Sequence, residues 1–142
     1  MAENNPLYII DASVLLKLFI EETQNLKEAI AVQTDFLKNK IQLGMPSFCL
    51  YEILNTLCRQ FPDKAMISLS QILMLNISEY RLNLENSYRA LTIMQKFPKV
   101  SFYDASYHAI AIENGGMFIT ADENYYKKTR SLKHIKLLKN YT

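Results

Sequence analysis

The chain is poor in the residues that make loose or cross-linked proteins. It has three glycines, four prolines and two cysteines among 142 residues. With 49% hydrophobic residues beside so little glycine and proline, a disordered or low-complexity chain is excluded. Cys49 and Cys58 form no CxxC pair and sit in apolar helical context, so both are expected to be buried and reduced, as in a cytoplasmic protein. No apolar run approaches the roughly 18 residues of a spanning helix. The opening residues 1–6 lack a basic region, so neither a membrane segment nor a secretory signal is expected. The length suits one domain over 1–142 with a hydrophobic core of its own.

Charge is also sparse, at +2 overall, too little to argue for nucleic acid by itself. Its distribution is uneven. Residues 124–142 hold six basic residues and no acid, whereas the 123 residues before them hold ten basic and fourteen acidic ones. A neutral-to-acidic body with a basic end suits a polyanion held near acids, and equally a solvated helix face with an ordinary tail.

What the chain does have is a short apolar run ending in an acid, Tyr8-Ile9-Ile10-Asp11. The run reads as a buried strand. A carboxylate at its end costs several kcal/mol unless it is paired or binds a metal. A helix over 14–20 opens at Ser13, and 21–24 break it. A second helix covers 25–40, its apolar positions being Leu26, Ile30, Val32, Phe36 and Leu37. A strand over 41–45 is closed by Pro46, and Ser47 caps a helix over 48–60. Residues 61–63 separate it from a helix over 64–75. A weak strand covers 76–80. The helix over 84–97 carries Tyr88, Leu91 and Met94 on one stripe, and Pro98 stops it. Ser101 opens a helix over 102–114 that Gly115 and Gly116 end. A strand at 117–120, a short helix over 121–129 and a strand at 135–138 complete the chain. Strands separated by helices imply crossover connections, hence a three-layer α/β/α sandwich around a parallel sheet of about five strands.

Ligands of such sheets bind outside the carboxyl ends of the strands. Two strands end within two residues of an acid, at Asp11 and at Asp122. Two further acids, Glu52 and Asp104, interrupt apolar helices, and Asn55 lies one turn beyond Glu52 on the same face. Each has a plainer reading. Asp11 suits an N-cap, Glu52 an exposed helix position, Ser101-x-x-Asp104 a capping box, and Thr120-x-x-Glu123 another with Asp122 as rival cap. Together, four acids in apolar settings call for cations, and hard oxygen donors without a Cys or His set indicate Mg²⁺ or Mn²⁺ rather than zinc. His108, one turn from Asp104, reads better as a core or groove histidine than as a ligand.

The ordered set Ile-Ile-Asp11-Ala-Ser13, Tyr-Glu52-Ile-Leu-Asn55, Tyr-Asp104-Ala-Ser-Tyr-His-Ala and Phe-Ile-Thr120-Ala-Asp122 resembles the PIN-domain family, and within it the VapC-type ribonuclease toxins. The resemblance implies strand order 3-2-1-4-5 and a metal-dependent endoribonuclease acting on RNA. It makes Asp11, Glu52, Asp104 and Asp122 the catalytic acids that bind one or two ions of Mg²⁺ or Mn²⁺. Ser13, Thr120 and Asn55 are then supporting polar residues. It further implies a homodimer and, as partner, a VapB-type antitoxin whose C-terminal segment blocks the acidic groove; the apolar helical pair over 47–75 offers such a segment a groove, though core packing explains most of that stripe. Some PIN domains carry a further acid after the last position; here the candidates are Glu123 and Asn124. Lys127, Lys128 and Arg130 are the candidates for backbone phosphates. Two other readings remain: a PIN domain that binds without cutting, and a processing nuclease with no antitoxin. A receiver domain would need an acid pair before the first helix and a lysine at a late strand end, and the chain has neither.

Overall fold

The computed structural model describes residues 4–20 and 24–142. Its elements are β1 (Leu7–Ile10), α1 (Ala12–Lys17), α2 (Leu26–Leu37), β2 (Gln42–Pro46), α3 (Cys49–Gln60), α4 (Pro62–Leu75), β3 (Ser78–Tyr80), α5 (Leu84–Lys96), α6 (Phe102–Glu113), β4 (Met117–Thr120), α7 (Glu123–Thr129) and β5 (Ile135–Leu137). The five strands are all parallel, in the order β3-β2-β1-β4-β5, with helices flanking the sheet. This is the three-layer α/β/α arrangement expected. β1 sits in the middle, so Ile9 and Ile10 are fully buried between β2 and β4.

α6 is the helix the sheet is built against. It lies along β1, β2 and β4, and α5 packs on it in turn. Ala105, Ala109 and Ala111 are small enough to let it approach the strands, and every residue from Ala105 to Ala111 is buried. Ser101 starts it, its hydroxyl accepting from the Asp104 N–H at 3.1 Å. Tyr107 of α6 stacks on Phe118 of β4 with centroids 5.3 Å apart. At the far end Gly115 takes a left-handed conformation (φ 66°), and the chain turns directly into β4.

Several local expectations need correcting. α1 starts at Ala12, because Asp11 and not Ser13 is its N-cap, and it stops at Lys17, with Leu18, Phe19 and Ile20 continuing as turns. The expected break over 21–24 lies, in its first three residues, outside the described residues. α2 is shorter than 25–40, since Asn25 and Asn39 adopt left-handed conformations at its two ends. Ile30 and Leu37 of that helix are 46% and 63% exposed, so Ala29 and Val32 form its buried face instead. Ser47 does not cap α3. Its hydroxyl donates to the Tyr80 carbonyl at 3.3 Å, tying the end of β2 to β3. Pro46 belongs to β2, paired with Tyr80, and α4 starts at Pro62 rather than at 64, since a first-turn position needs no N–H donor. On α5 the buried face is Asn86, Ala90 and Ile93. Tyr88 and Leu91, placed on the apolar stripe, are 74% and 51% exposed because the close packing with α6 selects the small Ala90 face. Cys49 is buried as expected, but Cys58 is exposed.

Gly116 shows how tightly β4 is seated. A Cβ there would come within 2.8 Å of the Leu7 carbonyl oxygen, and backbone cannot yield as a flexible side chain does. Gly116→Ala should therefore destabilise the protein by about 1–3 kcal/mol, as overpacking does. Urea denaturation of the two proteins measures this, with an unchanged m-value expected.

Candidate active site

The register of β1 against β4 creates the centre of the site. Ile10 pairs with Ile119, which sets Asp11 beside Thr120 at the carboxyl edge of the sheet. The Asp11 N–H donates to the Ile119 carbonyl at 3.1 Å, extending the ladder by one bond. The Thr120 hydroxyl, fully buried, donates to Asp11 Oδ2 at 2.6 Å and itself accepts from the Asp122 N–H at 3.0 Å. The Ser13 N–H lies 3.4 Å from the other carboxylate oxygen, Oδ1, and Ser13 Oγ accepts a long bond from Ala121 N–H at 3.5 Å. Asp11 thus caps α1 and still faces the strand ends.

Of the other three acids Glu52 and Asp122 are exposed and Asp104 half-buried, each held by a partner of its own. Glu52 on α3 accepts from the Tyr107 hydroxyl at 3.0 Å. Asp104 in the first turn of α6 shares a side-chain hydrogen bond with Ser101. Asp122 caps α7, its Oδ1 accepting from the Tyr125 N–H at 3.0 Å, which decides the rivalry with Thr120 for that role. Electrostatics links the acids in pairs, Asp11 with Asp104 and Glu52, Glu52 with Asp104, and Asp104 with Asp122. Burial pushes the Asp11 carboxyl up from 3.8 to about 6, against the Thr120 and Ser13 hydrogen bonds, and the charges of Asp104 and Glu52 add to the rise. Glu52 is raised by burial, with Asp104 adding to it, and Asp104 is raised by burial and then by Asp122. Lys128 on α7 opposes that rise at Asp104. Beside the acids lies an open groove of about 540 Å³, lined by Phe48, Tyr51, Glu52, Asn55, Ser101, Tyr103 and Asp104.

Not every candidate joins the group. Asn55 lines the groove, but its side-chain oxygen accepts from Arg59 Nε at 3.2 Å along its own helix. Glu123 turns away to pair with Lys139 at 3.2 Å. Lys127 and Arg130 are exposed, and of the three basic candidates only Lys128 is shown acting on an acid. His108 is fully buried. Its Nε2–H donates to the Lys133 carbonyl at 2.7 Å, which leaves Nδ1 to accept from the Tyr125 hydroxyl at 2.9 Å. Burial lowers its pKa, so it is a neutral, satisfied core histidine. The sequence does not single out Tyr107. Its one signal there is its place three residues after Asp104 on the same helix face. Cys49 lies against that hydroxyl, and burial pushes its thiol up to about 12, so it is not a reactive cysteine.

The donor set is chemically suited to a hard divalent ion: carboxylate oxygens that repel one another, with one opposing lysine. Among the described residues, no three His, Cys, Asp or Glu side chains stand close enough together to hold an ion in their present arrangement. Each carboxylate instead keeps its local hydrogen bond.

Residues 8–131 match the family model of the PIN domain, which is most of the chain. The chain belongs to the PIN domain family. No curated protein is significantly similar to it in sequence. Among solved structures, the PIN domain is similar to a toxin–antitoxin complex from Klebsiella pneumoniae, with a TM-score of 0.69 and 14% identity over 92% of this chain and 97% of that one. It is likewise similar to VapC20 of Mycobacterium tuberculosis, described as a sarcin–ricin loop cleaving toxin, with a TM-score of 0.65 and 14% identity over 84% and 93%. VapBC-1 of nontypeable Haemophilus influenzae gives a TM-score of 0.68 and 13% identity over 94% and 99%. At these identities the likeness is one of fold.

The raised carboxyl of Asp11 has a measurable sign. The folded PIN domain holds this proton more tightly than the unfolded chain does. Stability without divalent ions should therefore be greatest below pH 3.8 as far as this group is concerned, and should fall as pH rises towards about 6. Asp11→Asn removes that fall. In chelator at neutral pH the variant should be more stable than the parent by about 1–3 kcal/mol, the gap closing towards pH 4. Thermal melts across pH give the answer, and equal melting temperatures at pH 7 would contradict it. A second variant concerns the support of Glu52: Tyr107→Phe should weaken Mn²⁺ binding about 10–100-fold by calorimetry, with the fold intact by circular dichroism.

Proposed function

We propose that this PIN domain is a metal-dependent endoribonuclease that hydrolyses phosphodiester bonds in RNA, and that it acts in the cytoplasm as the toxin of a VapBC-type pair. The observation that carries the reading is Asp11 at the carboxyl end of the central strand, held by Thr120, with its carboxyl raised by burial and then by the charges of Asp104 and Glu52. Asp11, Glu52, Asp104 and Asp122 are the residues that would hold Mg²⁺ or Mn²⁺. Bound there, such an ion would lower the pKa of a water and draw charge from the phosphate oxygens.

The chain's own residues do the rest. Thr120 fixes the Asp11 carboxylate at the end of the central strand. Tyr107 and Ser101 hold Glu52 and Asp104, which both line the groove. Asp122 is anchored through Tyr125 and keeps its second oxygen for the site. Ser13 and Asn55 supply polar atoms at the rim, and Lys128, with Lys127 and Arg130 further out, meets backbone phosphates. For the partner, a small VapB-type antitoxin, α3 and α4 expose Tyr51, Met66, Ile67 and Met74. A mostly apolar cavity of about 270 Å³ beside Phe48, Tyr51 and Phe102 suits an inserted side chain of its docking segment. The homodimer has a face available on α5, where Leu84, Tyr88 and Leu91 are exposed.

A second reading, a PIN domain that binds without cutting, draws on the spacing of the carboxylates, no three of which converge among the described residues. A processing nuclease without an antitoxin would use the same chemistry, and the presence of a small gene just upstream separates the two. The decisive assay is cleavage of single-stranded RNA with Mn²⁺ or Mg²⁺. Chelator should abolish it, and Asp11→Asn or Asp104→Asn should each lower the rate on the order of 100-fold or more. Activity that survives both overturns the metal mechanism. Mn²⁺ binding that Asp104→Ala removes, without any cleavage by the parent protein, establishes the second reading.

A further inference from the structure

The connection between α5 and α6 carries the sequence Lys96-Phe97-Pro98-Lys99, and with Lys128 of α7 it lines a separate groove of about 320 Å³. No acid lines this groove. Its walls are three lysines around an aromatic ring and a proline. Lys96 Nζ stands 5.7 Å from the centroid of the Phe97 ring, over the ring's face. The turn is closed at both ends, the Phe97 N–H donating to the Ile93 carbonyl at 2.9 Å and the Val100 N–H to the Phe97 carbonyl at 3.0 Å. With Val100 buried beneath it and Pro98 within it, the turn holds in place the backbone that carries Lys96, Phe97 and Lys99. Among the described residues none of the three lysines is engaged in an ion pair.

Lys128 is the link to the acids. It lines the basic groove and also acts on Asp104, three residues on from the Ser101 cap that follows this turn. Two surfaces of opposite sign therefore meet at one side chain. A cation-loaded acidic cluster would take one phosphate of a polyanion, and the lysines would take its neighbours. Half-buried Phe97, with Lys96 over one face of its ring, and exposed Pro98 add what a string of charges does not need, an apolar edge for an unpaired base to pack against. An acidic peptide would use the lysines and leave the ring idle.

We infer that Lys96, Phe97, Lys99 and Lys128 form a substrate subsite that holds the single-stranded RNA next to the bond to be cut, one base on Phe97 and its flanking phosphates on the lysines. The inference rests on the ribonuclease reading and adds to it an element, the α5–α6 turn, that lies outside the acidic groove.

The test measures binding of a fluorescent, unstructured RNA oligonucleotide to the full chain carrying Asp11→Asn, with Mg²⁺ present, by anisotropy over a series of salt concentrations. Cleavage of the same RNA by the unsubstituted protein is followed in parallel. Adding Lys96→Gln and Lys99→Gln together should weaken binding at least about 10-fold and reduce the salt slope by about 0.7 for each phosphate no longer neutralised. Phe97→Leu should weaken binding about 5–100-fold with no change of slope, the signature of missing base stacking. If the RNA is cleaved but these variants bind it as their parent does, the subsite is wrong and the ribonuclease reading stands. If poly-glutamate binds as tightly as RNA and depends on the same lysines but not on Phe97, the groove is a peptide site and the inference fails. RNA bound with the expected losses but never cleaved supports the subsite and removes the nuclease. RNA neither bound nor cleaved removes both.

Discussion

The hydrogen bond from Thr120 to Asp11 is the constraint on which the rest depends. It is short, partly buried, and made between residues 109 apart in sequence. It exists only because β1 and β4 are neighbours in the right register, and that pairing exists only because α6 is slim enough to cover both strands. Asp122 shares the bond through its N–H on the same hydroxyl, whereas Asp104 is placed by the α6 cap and Glu52 is held by Tyr107. A slip of one residue between β1 and β4 would turn Thr120 towards the opposite face and leave Asp11 without its partner.

The same arrangement sets stability against chemistry. A fold optimised for stability alone would not bury Asp11 beside two other carboxylates, where burial first and their charges second hold its proton on to about pH 6. The surrounding structure offsets that cost with well-satisfied groups. His108 uses both ring nitrogens, Tyr107 packs edge-on against Phe48 and face-on against Phe118, and Tyr125 meets His108 and Phe118. Repulsion between like charges is thus concentrated at one rim of the sheet, above a firmly packed aromatic layer. Acids held in this way favour any ligand that brings positive charge.

Much of the architecture was legible because its signals are local. Apolar runs closed by turn residues marked the strands, and Ser101 and the Gly115–Gly116 pair marked the ends of α6. What could not be read depended on which neighbour an exposed-looking face would meet. Tyr88 and Leu91 have the spacing of a core stripe, yet the close approach of α6 favours Ala90 and leaves them outside. Ser47 has the sequence context of a cap, but a nearby Tyr80 carbonyl takes its hydroxyl. The positions of the four acids follow from the strand ends and helix starts, whereas the partner that holds each carboxylate does not. Tyr107 is the case in point, since only the packing of the folded chain brings it to Glu52.

The central strand is the first to be made, and the residues that complete its edge are among the last. Asp11 is synthesised early, but Thr120 and Asp122 follow more than a hundred residues later, and the pairing that unites them closes a very long loop. A ribosome-bound chain carrying residues 1–116 holds Asp11, Glu52 and Asp104 yet lacks β4, and with it both the register and the fourth acid. The cluster therefore cannot assemble during most of translation.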